Sequence, residues 1–165
     1  MNQVKESEFS QLMEQHKGII YKVVNSYCQH QDDRQDLAQE ILTAMWFSID
    51  KYNSEYKFST WMYRIALNVA ISHYRKDSKR HDKPGPNEEP LINVMDISVN
   101  EDKSEEIQQL YRFIGQLDKL NKAIMLLYLE SEPYEVIASS LGISKTNVAT
   151  RIGRIKATLA KQFKE

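Results

Sequence analysis

Glycine and proline are scarce in this sequence, 5 and 4 among 165 residues. So few leave little of the turn chemistry that many-stranded folds need, and a mostly helical chain is expected. A single cysteine, Cys28, excludes an internal disulfide and fits a reducing compartment. No apolar run approaches the length of a bilayer span, and no basic n-region with an apolar h-region opens the chain. The cytoplasm is therefore the expected location. The 4 histidines are scattered, and Cys28-x-His30 is too sparse a pair for a metal site. There is no phosphate-binding glycine loop, no nucleophile elbow and no carboxylate pair at catalytic spacing. The residues support neither enzymatic activity nor a cofactor, a metal or a small-molecule substrate.

What is present is a chain of 41% hydrophobic and 27% charged residues, the balance of a soluble globular protein. Its length suits one ordinary domain or two small helical ones. The net charge of −1 conceals strong segregation. Residues 30–50 hold five acids against one base, a net of −4, and residues 53–83 hold seven bases against three acids, a net of +4. Residues 88–108 hold seven acids against one base, a net of −6, and residues 134–165 hold six bases against two acids, a net of +4. Two basic patches separated by acidic segments point to two polyanion contacts and at least one protein contact.

Apolar residues recur at helical spacing from Phe9 to Tyr27, which predicts a first helix over 7–29. A second runs from Asp33 to Lys51 on the stripe Leu37, Ile41, Leu42, Met45 and Ile49, with Asp33 as N-cap and Asp36 in the favourable first turn. Residues 53–58 read as a loop. Ser59 or Thr60 can cap a third helix that ends near Lys76, with Met62, Ile65, Ala66, Val69 and Ile71 partly buried. Residues 77–103 contain three of the four prolines and lose the apolar period, so they read as a linker, although LINVMDISV at 91–99 is apolar enough to dock. Ser104 begins a fourth helix with Ile107, Leu110, Tyr111 and Ile114 inward, and Asp118 to Leu129 makes a fifth. The reading is all-α: a domain over 1–80, a flexible linker over 81–103 and a second domain over 104–165.

Three segments carry chemistry. In IASSLGISKTNVATRIGRIKATL, 137–159, a short helix YEVIASSL that begins after Pro133 ends at Gly142, and Ser144 caps a long last helix. Ala138 is small where two helices meet, and Leu141, Ile143, Val148 and Ile152 are spaced to pack the corner. This is the helix-turn-helix pattern. From Lys145 to Lys164 the last helix carries six bases and no acid. Its first turns offer Lys145, Thr146, Asn147, Thr150, Arg151 and Arg154, side chains that suit base edges and phosphates in a major groove. In DDRQDLAQE, 32–40, the acids Asp36 and Glu40 share a face with Gln39. They serve either the helix dipole or a protein contact. In FSTWMYRIALNVAISHYRK, 58–76, Trp61, Arg64, Asn68, Ser72 and Arg75 fall at i, i+3, i+7, i+11 and i+14. Such an aromatic and basic side can hold unstacked bases, while Trp61 and Tyr63 equally suit a core.

Taken in order, these segments resemble the extracytoplasmic-function (ECF) sigma factors, promoter-specificity subunits of bacterial RNA polymerase. DLAQEILTAMWFSIDKY looks like their region 2.2, FSTWMYRIALNVAISHYRK like regions 2.3 and 2.4, and LDKLNKAIMLLYLESEPYEVIASSLGISKTNVATRIGRIKATL like region 4. The resemblance implies a sigma region 2 bundle and a sigma region 4 helix-turn-helix domain. It implies that Asp33, Asp36, Leu37, Gln39 and Glu40 dock on the clamp helices of the largest polymerase subunit, with the flap as a further contact. It implies that Asn53, Lys57, Phe58, Ser59, Thr60, Trp61, Arg64, Asn68, Ser72, Arg75 and Lys76 open the minus-10 element and capture a flipped base. Lys145, Thr146, Asn147, Thr150, Arg151 and Arg154 would read the minus-35 element. An anti-sigma partner, often membrane-bound, is also implied. The chain departs from the family pattern at Pro133, where Ser or Thr is common, and at Asp118, where Pro is common. It departs again at Ala149 and Gly153, where larger or basic side chains often meet DNA, which shifts weight onto Thr150 and Arg154. A stand-alone helix-turn-helix regulator, which would bind duplex DNA as a dimer, and a pure protein adaptor are the rival readings.

Overall fold

The structure is a computed structural model that describes residues 3–53, 55–77 and 104–163, with side chains described for 6–53, 55–73 and 104–163. The expected linker over 81–103, with its apolar stretch 91–99, lies outside the described residues. The chain divides into two compact units, Met1–Val99 and Asn100–Glu165. Among the described residues the elements are α-helices and one short 3-10 turn, with no strand.

In the first unit, α1 (Gln3–Gln15) and α2 (Lys17–Tyr27) replace the single expected helix. The break falls at His16, whose φ of −116° and ψ of 17° leave the helical region. Gly18 follows two residues later and is a weak helix former. Helix α3 (Gln31–Ser48) runs into a 3-10 turn (Ile49–Lys51), and α4 (Phe58–Asp77) follows a six-residue connection. Helix α4 packs against both α2 and α3, and this sets its burial. Thr60, Met62, Tyr63, Ala66, Leu67, Ala70 and His73 are all buried on it. The core therefore takes in more of the helix than the sequence stripe names, while Ile65, Val69 and Ile71 are half-buried, as expected. Opposite these lie Ile20, Val23, Val24, Leu37, Ile41, Leu42 and Met45, all at the centre of the bundle. Each such side chain contributes about 1.5–3 kcal/mol by leaving water.

The second unit contains α5 (Glu105–Gly115), α6 (Lys119–Leu129), α7 (Tyr134–Leu141) and α8 (Lys145–Phe163). Helices α6, α7 and α8 pack on one another, and α5 packs on α6. Phe113, Ile114, Met125 and Ile155 form a buried cluster, flanked by Leu110, Tyr111, Leu117, Tyr128 and Leu159. Ile107, expected inward, is 42% exposed. It lies in the first turn of α5, whereas the cluster engages that helix only from Leu110 onward. The helix ends are closed locally. Ser104 Oγ accepts the Ile107 N–H (3.4 Å) and Ser144 Oγ accepts the Asn147 N–H (3.0 Å). Asp118 caps α6 by accepting the Asn121 N–H at 2.8 Å. Gly142 ends α7 with φ of 71°, a conformation glycine adopts without penalty. The N–H of Ile143 then returns to the Ala138 carbonyl (3.1 Å).

Candidate nucleic-acid interface

The acidic segment forms the start of α3. Asp33 is not its N-cap. The Arg34 N–H already donates to the His30 carbonyl at 3.1 Å, so His30 holds the N-cap position, without a side-chain cap bond. Asp32 and Asp33 instead occupy the first turn, where their charge favours the helix dipole. Arg34, the one base of this segment, turns inward and donates to the Cys28 carbonyl (3.0 Å). Asp36 and Glu40 are exposed, and Asp33 and Gln39 are half-buried beside them. Leu37 is 0% exposed. It belongs to the inward stripe with Ile41 and Met45 and does not stand on this face. The exposed face is thus acidic and polar. Glu40 Oε2 lies 3.0 Å from Nδ1 of His73 on α4. Farther along the same side, Thr43 is exposed and Phe47 is 75% exposed.

The opening of α4 gathers aromatic rings. Phe58 packs on Trp61 (5.2 Å between ring centroids), on Tyr52 (5.4 Å) and on His16 (5.0 Å), and Tyr52 also meets Trp61 at 5.6 Å. Neither Ser59 nor Thr60 caps this helix. The Trp61 N–H donates to the Lys57 carbonyl at 3.1 Å, so helical bonding starts at Lys57, and Thr60 is buried at 5% exposure. Ser59 is half-buried. Side-chain bonds hold the described residues of the loop before α4. Tyr52 Oη donates to the Tyr56 carbonyl (2.9 Å), and Asn53 Oδ1 accepts the Glu55 N–H (3.2 Å). Asn53 and Lys57 are exposed in it.

Past the aromatic cluster, Arg64, Asn68 and Ser72 are exposed along one side of α4, at the spacing the sequence shows. Asn68 Nδ2 donates to the Arg64 carbonyl (2.7 Å). Arg75 and Lys76 continue the helix, and their side chains lie outside the described residues. The four aromatics of this segment separate into distinct settings. Phe58 and Trp61 are half-buried in the cluster, and Tyr63 is in the core at 1% exposure. The side chain of Tyr74 lies outside the described residues. A surface with Arg64 and Lys57 beside half-exposed rings can hold phosphates and stacked bases together.

In the second unit, Thr146, Thr150 and Arg154 are exposed on α8, together with Ala149 and Gly153. Val148, Ile152 and Ile155 are buried on its other side. Lys145 is exposed, and its Nζ donates to Glu135 Oε1 at 2.6 Å across the turn. That hydrogen bond, with the Lys145 charge, holds the Glu135 carboxyl below its ordinary value. Lys156 Nζ stands 4.6 Å over the Tyr128 ring. A hydrogen bond to Tyr128 keeps the Lys156 ammonium pKa above its usual value. Arg151 and Asn147 are half-buried and bonded to each other. Arg151 Nε donates to Asn147 Oδ1 (2.8 Å), and Arg151 Nη1 donates to Asn121 Oδ1 on α6 (3.0 Å). Asn121 and His16 carry no local mark in the sequence, because their partners Arg151 and Phe58 stand 30 and 42 positions away. Glu135 and Tyr52 meet their partners across a turn, outside any single helical period.

Among the described residues, no group of three or more His, Cys, Asp or Glu gathers as metal ligands, and no helix is long and apolar enough to cross a membrane. Helix α4 thus presents Arg64, Asn68 and Ser72 past a cluster of rings, and α8 presents Lys145, Thr150 and Arg154 within a helix-turn-helix. Family comparison gives the class. The Sigma-70 region 2 family matches residues 12–80, and the Sigma-70 region 4 family matches residues 107–159. The chain belongs to the sigma-70 family and is a promoter-recognition subunit of RNA polymerase. Within that family its relatives are of the ECF group. It is similar to the ECF RNA polymerase sigma factor SigW of Bacillus subtilis, 28% identical over 180 residues that span 100% of this chain and 95% of that protein. Two solved structures share the fold. RpoE of Bartonella quintana, in complex with the anti-sigma factor NepR, superposes with a TM-score of 0.71 at 20% identity, covering 95% of this chain and 97% of that one. CnrH in complex with the cytosolic domain of CnrY gives a TM-score of 0.62 at 22% identity, covering 96% and 89%; a CnrH of Cupriavidus metallidurans is also among the sequence relatives.

Proposed function

We propose that the two units divide promoter recognition between them. The unit over 1–80 docks on the clamp helices of the largest polymerase subunit through the exposed acids Asp36 and Glu40, with Asp33 and Gln39 at the margin. Leu37 supports that face from within the core. The same unit opens the minus-10 element with the loop at Asn53 and Lys57, the aromatic cluster, and the side of α4 that carries Arg64, Asn68, Ser72, Arg75 and Lys76. The unit over 104–165 lays α8 in the major groove of the minus-35 element and touches the flap, and 81–103 links the two. The single observation that carries this reading is the contrast within one bundle. An exposed acidic face on α3 and an exposed face on α4 that carries Arg64, Asn68 and Ser72 stand on helices that pack together, so one small body can hold a basic protein and an anionic strand at once.

The protein works without a cofactor or a catalytic group of its own. It acts in the cytoplasm, by differential binding to opened and closed DNA. Unstacking costs a few kcal/mol per step, and stacking on side chains returns about 1–3 kcal/mol per base. An anti-sigma factor that covers these faces, as NepR and CnrY accompany the two structural relatives, is the expected antagonist. The test is co-elution with core RNA polymerase on a sizing column. The wild-type chain is expected to co-elute, and Asp36→Ala/Glu40→Ala to do so much less. Duplex binding by a dimer of this chain, with no affinity for polymerase, would sink the reading in favour of a stand-alone regulator.

A further inference from the structure

Four polar side chains, two at the start of α6 and two on α8, join end to end. The Asp118 carboxylate accepts from Asn121 Nδ2 at 3.1 Å while also capping α6. Asn121 Oδ1 accepts from Arg151 Nη1 at 3.0 Å, and Arg151 Nε donates to Asn147 Oδ1 at 2.8 Å. A guanidinium has donors only, so both asparagines must turn their carbonyl oxygens toward it. The carboxylate at the far end takes the Asn121 amino group and so agrees with that orientation. Each amide in the chain is thereby fixed. Asn147, in the first turn of α8, keeps its amino group for a partner outside the unit, and the half-buried Arg151 charge is matched by Asp118 one side chain away. An asparagine free to rotate can offer either end to a base edge, whereas one held by its oxygen presents its donor.

We propose that Asn121 and Arg151 are positioning residues that aim Asn147 at a hydrogen-bond acceptor on one base of the upstream element, and that Arg151 is a brace and does not itself read a base. The proposal rests on α8 being the helix that reads duplex DNA. Lys cannot replace Arg151 in this role, because a point charge on a flexible stem does not hold two amides in one plane.

The experiment is selection of bound promoters from a library randomised across the upstream element. It uses core polymerase with the full chain as wild type, Asn147→Ala, Asn121→Ala, Arg151→Lys and the double variant Asn121→Ala/Asn147→Ala. Asn147→Ala is expected to lose about fivefold or more of the preference at one base position, the scale of one good base contact. Asn121→Ala and Arg151→Lys should lose preference at that same position and little elsewhere, and the double variant should match Asn147→Ala alone. Thermal unfolding of each chain runs alongside. Arg151→Lys keeps the charge and the helix propensity, so it decides the matter if Asn121→Ala has lost its fold. Wild-type preference at that position in both positioning variants overturns the proposal. So does a uniform loss across all sequences in Asn147→Ala, which would place its amide on phosphate. If the wild type selects no upstream sequence at all, the assignment of α8 as the reader fails first, and the proposal falls with it.

Discussion

The two units keep their helices in place by different means. In the second, side chains close three of the four helix starts: Ser104, Asp118 and Ser144 each accept a backbone N–H three residues on, and only α7 starts without one. Gly142 closes α7 in the left-handed region. In the first unit, His16 and His30 occupy N-cap positions without a side-chain cap bond, and α4 begins from the Lys57 carbonyl. What holds α4 there is burial between α2 and α3. A small bundle with a modest core gains from caps worth about 1 kcal/mol apiece, whereas a helix with a deeply buried face takes its stability from packing. The candidate side chains divide less cleanly. On α4, Arg64 and Ser72 stand exposed, and on α8 Thr146, Thr150 and Arg154 are exposed while Lys145 and Arg151 are tied to Glu135 and Asn121.

The largest effect expected from this contrast is in the first core. Leu67→Ala removes a side chain that is 0% exposed and should cost about 2–5 kcal/mol in urea unfolding of the full chain. A loss under about 1 kcal/mol would show that packing on α4 is not what holds that unit. Next comes the comparison of two acids at helix starts. Asp118→Ala removes a true cap and should cost about 1–2 kcal/mol. Asp33→Ala removes only a charge near a dipole and should cost about 0.3–1 kcal/mol. Equal losses in the same denaturation series would erase the distinction between capped and packed units. Gly153→Ala should stabilise the second unit by about 0.5–1 kcal/mol, because a Cβ at Gly153 meets nothing within 4 Å. A higher melting temperature together with weaker minus-35 binding identifies position 153 as DNA-facing. The smallest effect concerns Glu135, whose carboxyl is held below its ordinary value of 4.5 by the Lys145 hydrogen bond. A lowered folded value means the stabilisation is present above the ordinary value and fades as pH falls through the folded one. Melting temperatures taken from neutral to acid should therefore decline slightly less in Glu135→Gln than in wild type. The difference is slight because the pair is solvated.

Local signals were legible and distant ones were not. Ser144 as a cap, Ser104 at the start of its helix, Pro133 before α7 and Gly142 after it could all be read in the sequence, because such a signal needs only the three or four residues beside it. The helix-turn-helix and the exposed line Arg64, Asn68, Ser72 were legible for the same reason, from helical periodicity. Asp33 misled, since an acid that favours a helix start from its first turn has the same composition signal as one that caps it. Ser59 and Thr60 misled likewise, because helical bonding begins two to three residues earlier, at Lys57, where Phe58 joins the rings of His16, Tyr52 and Trp61. Ile107 looked inward by period alone, and only the placement of the Phe113 and Ile155 cluster leaves it at the rim.

By itself the sequence determined the helical class, the two-unit organisation, the family and the helix that bears the second basic surface, all properties carried by spacing and composition within short windows. The tertiary structure decided which of those side chains remain available. It joined Glu40 to His73, gathered four rings at the start of α4 and turned Arg151 from α8 toward Asn121. The pairings of Arg151 with Asn121, Glu40 with His73 and His16 with Phe58 join residues 30 to 42 positions apart. They arise from how the helices pack, and no periodicity along a single helix encodes them.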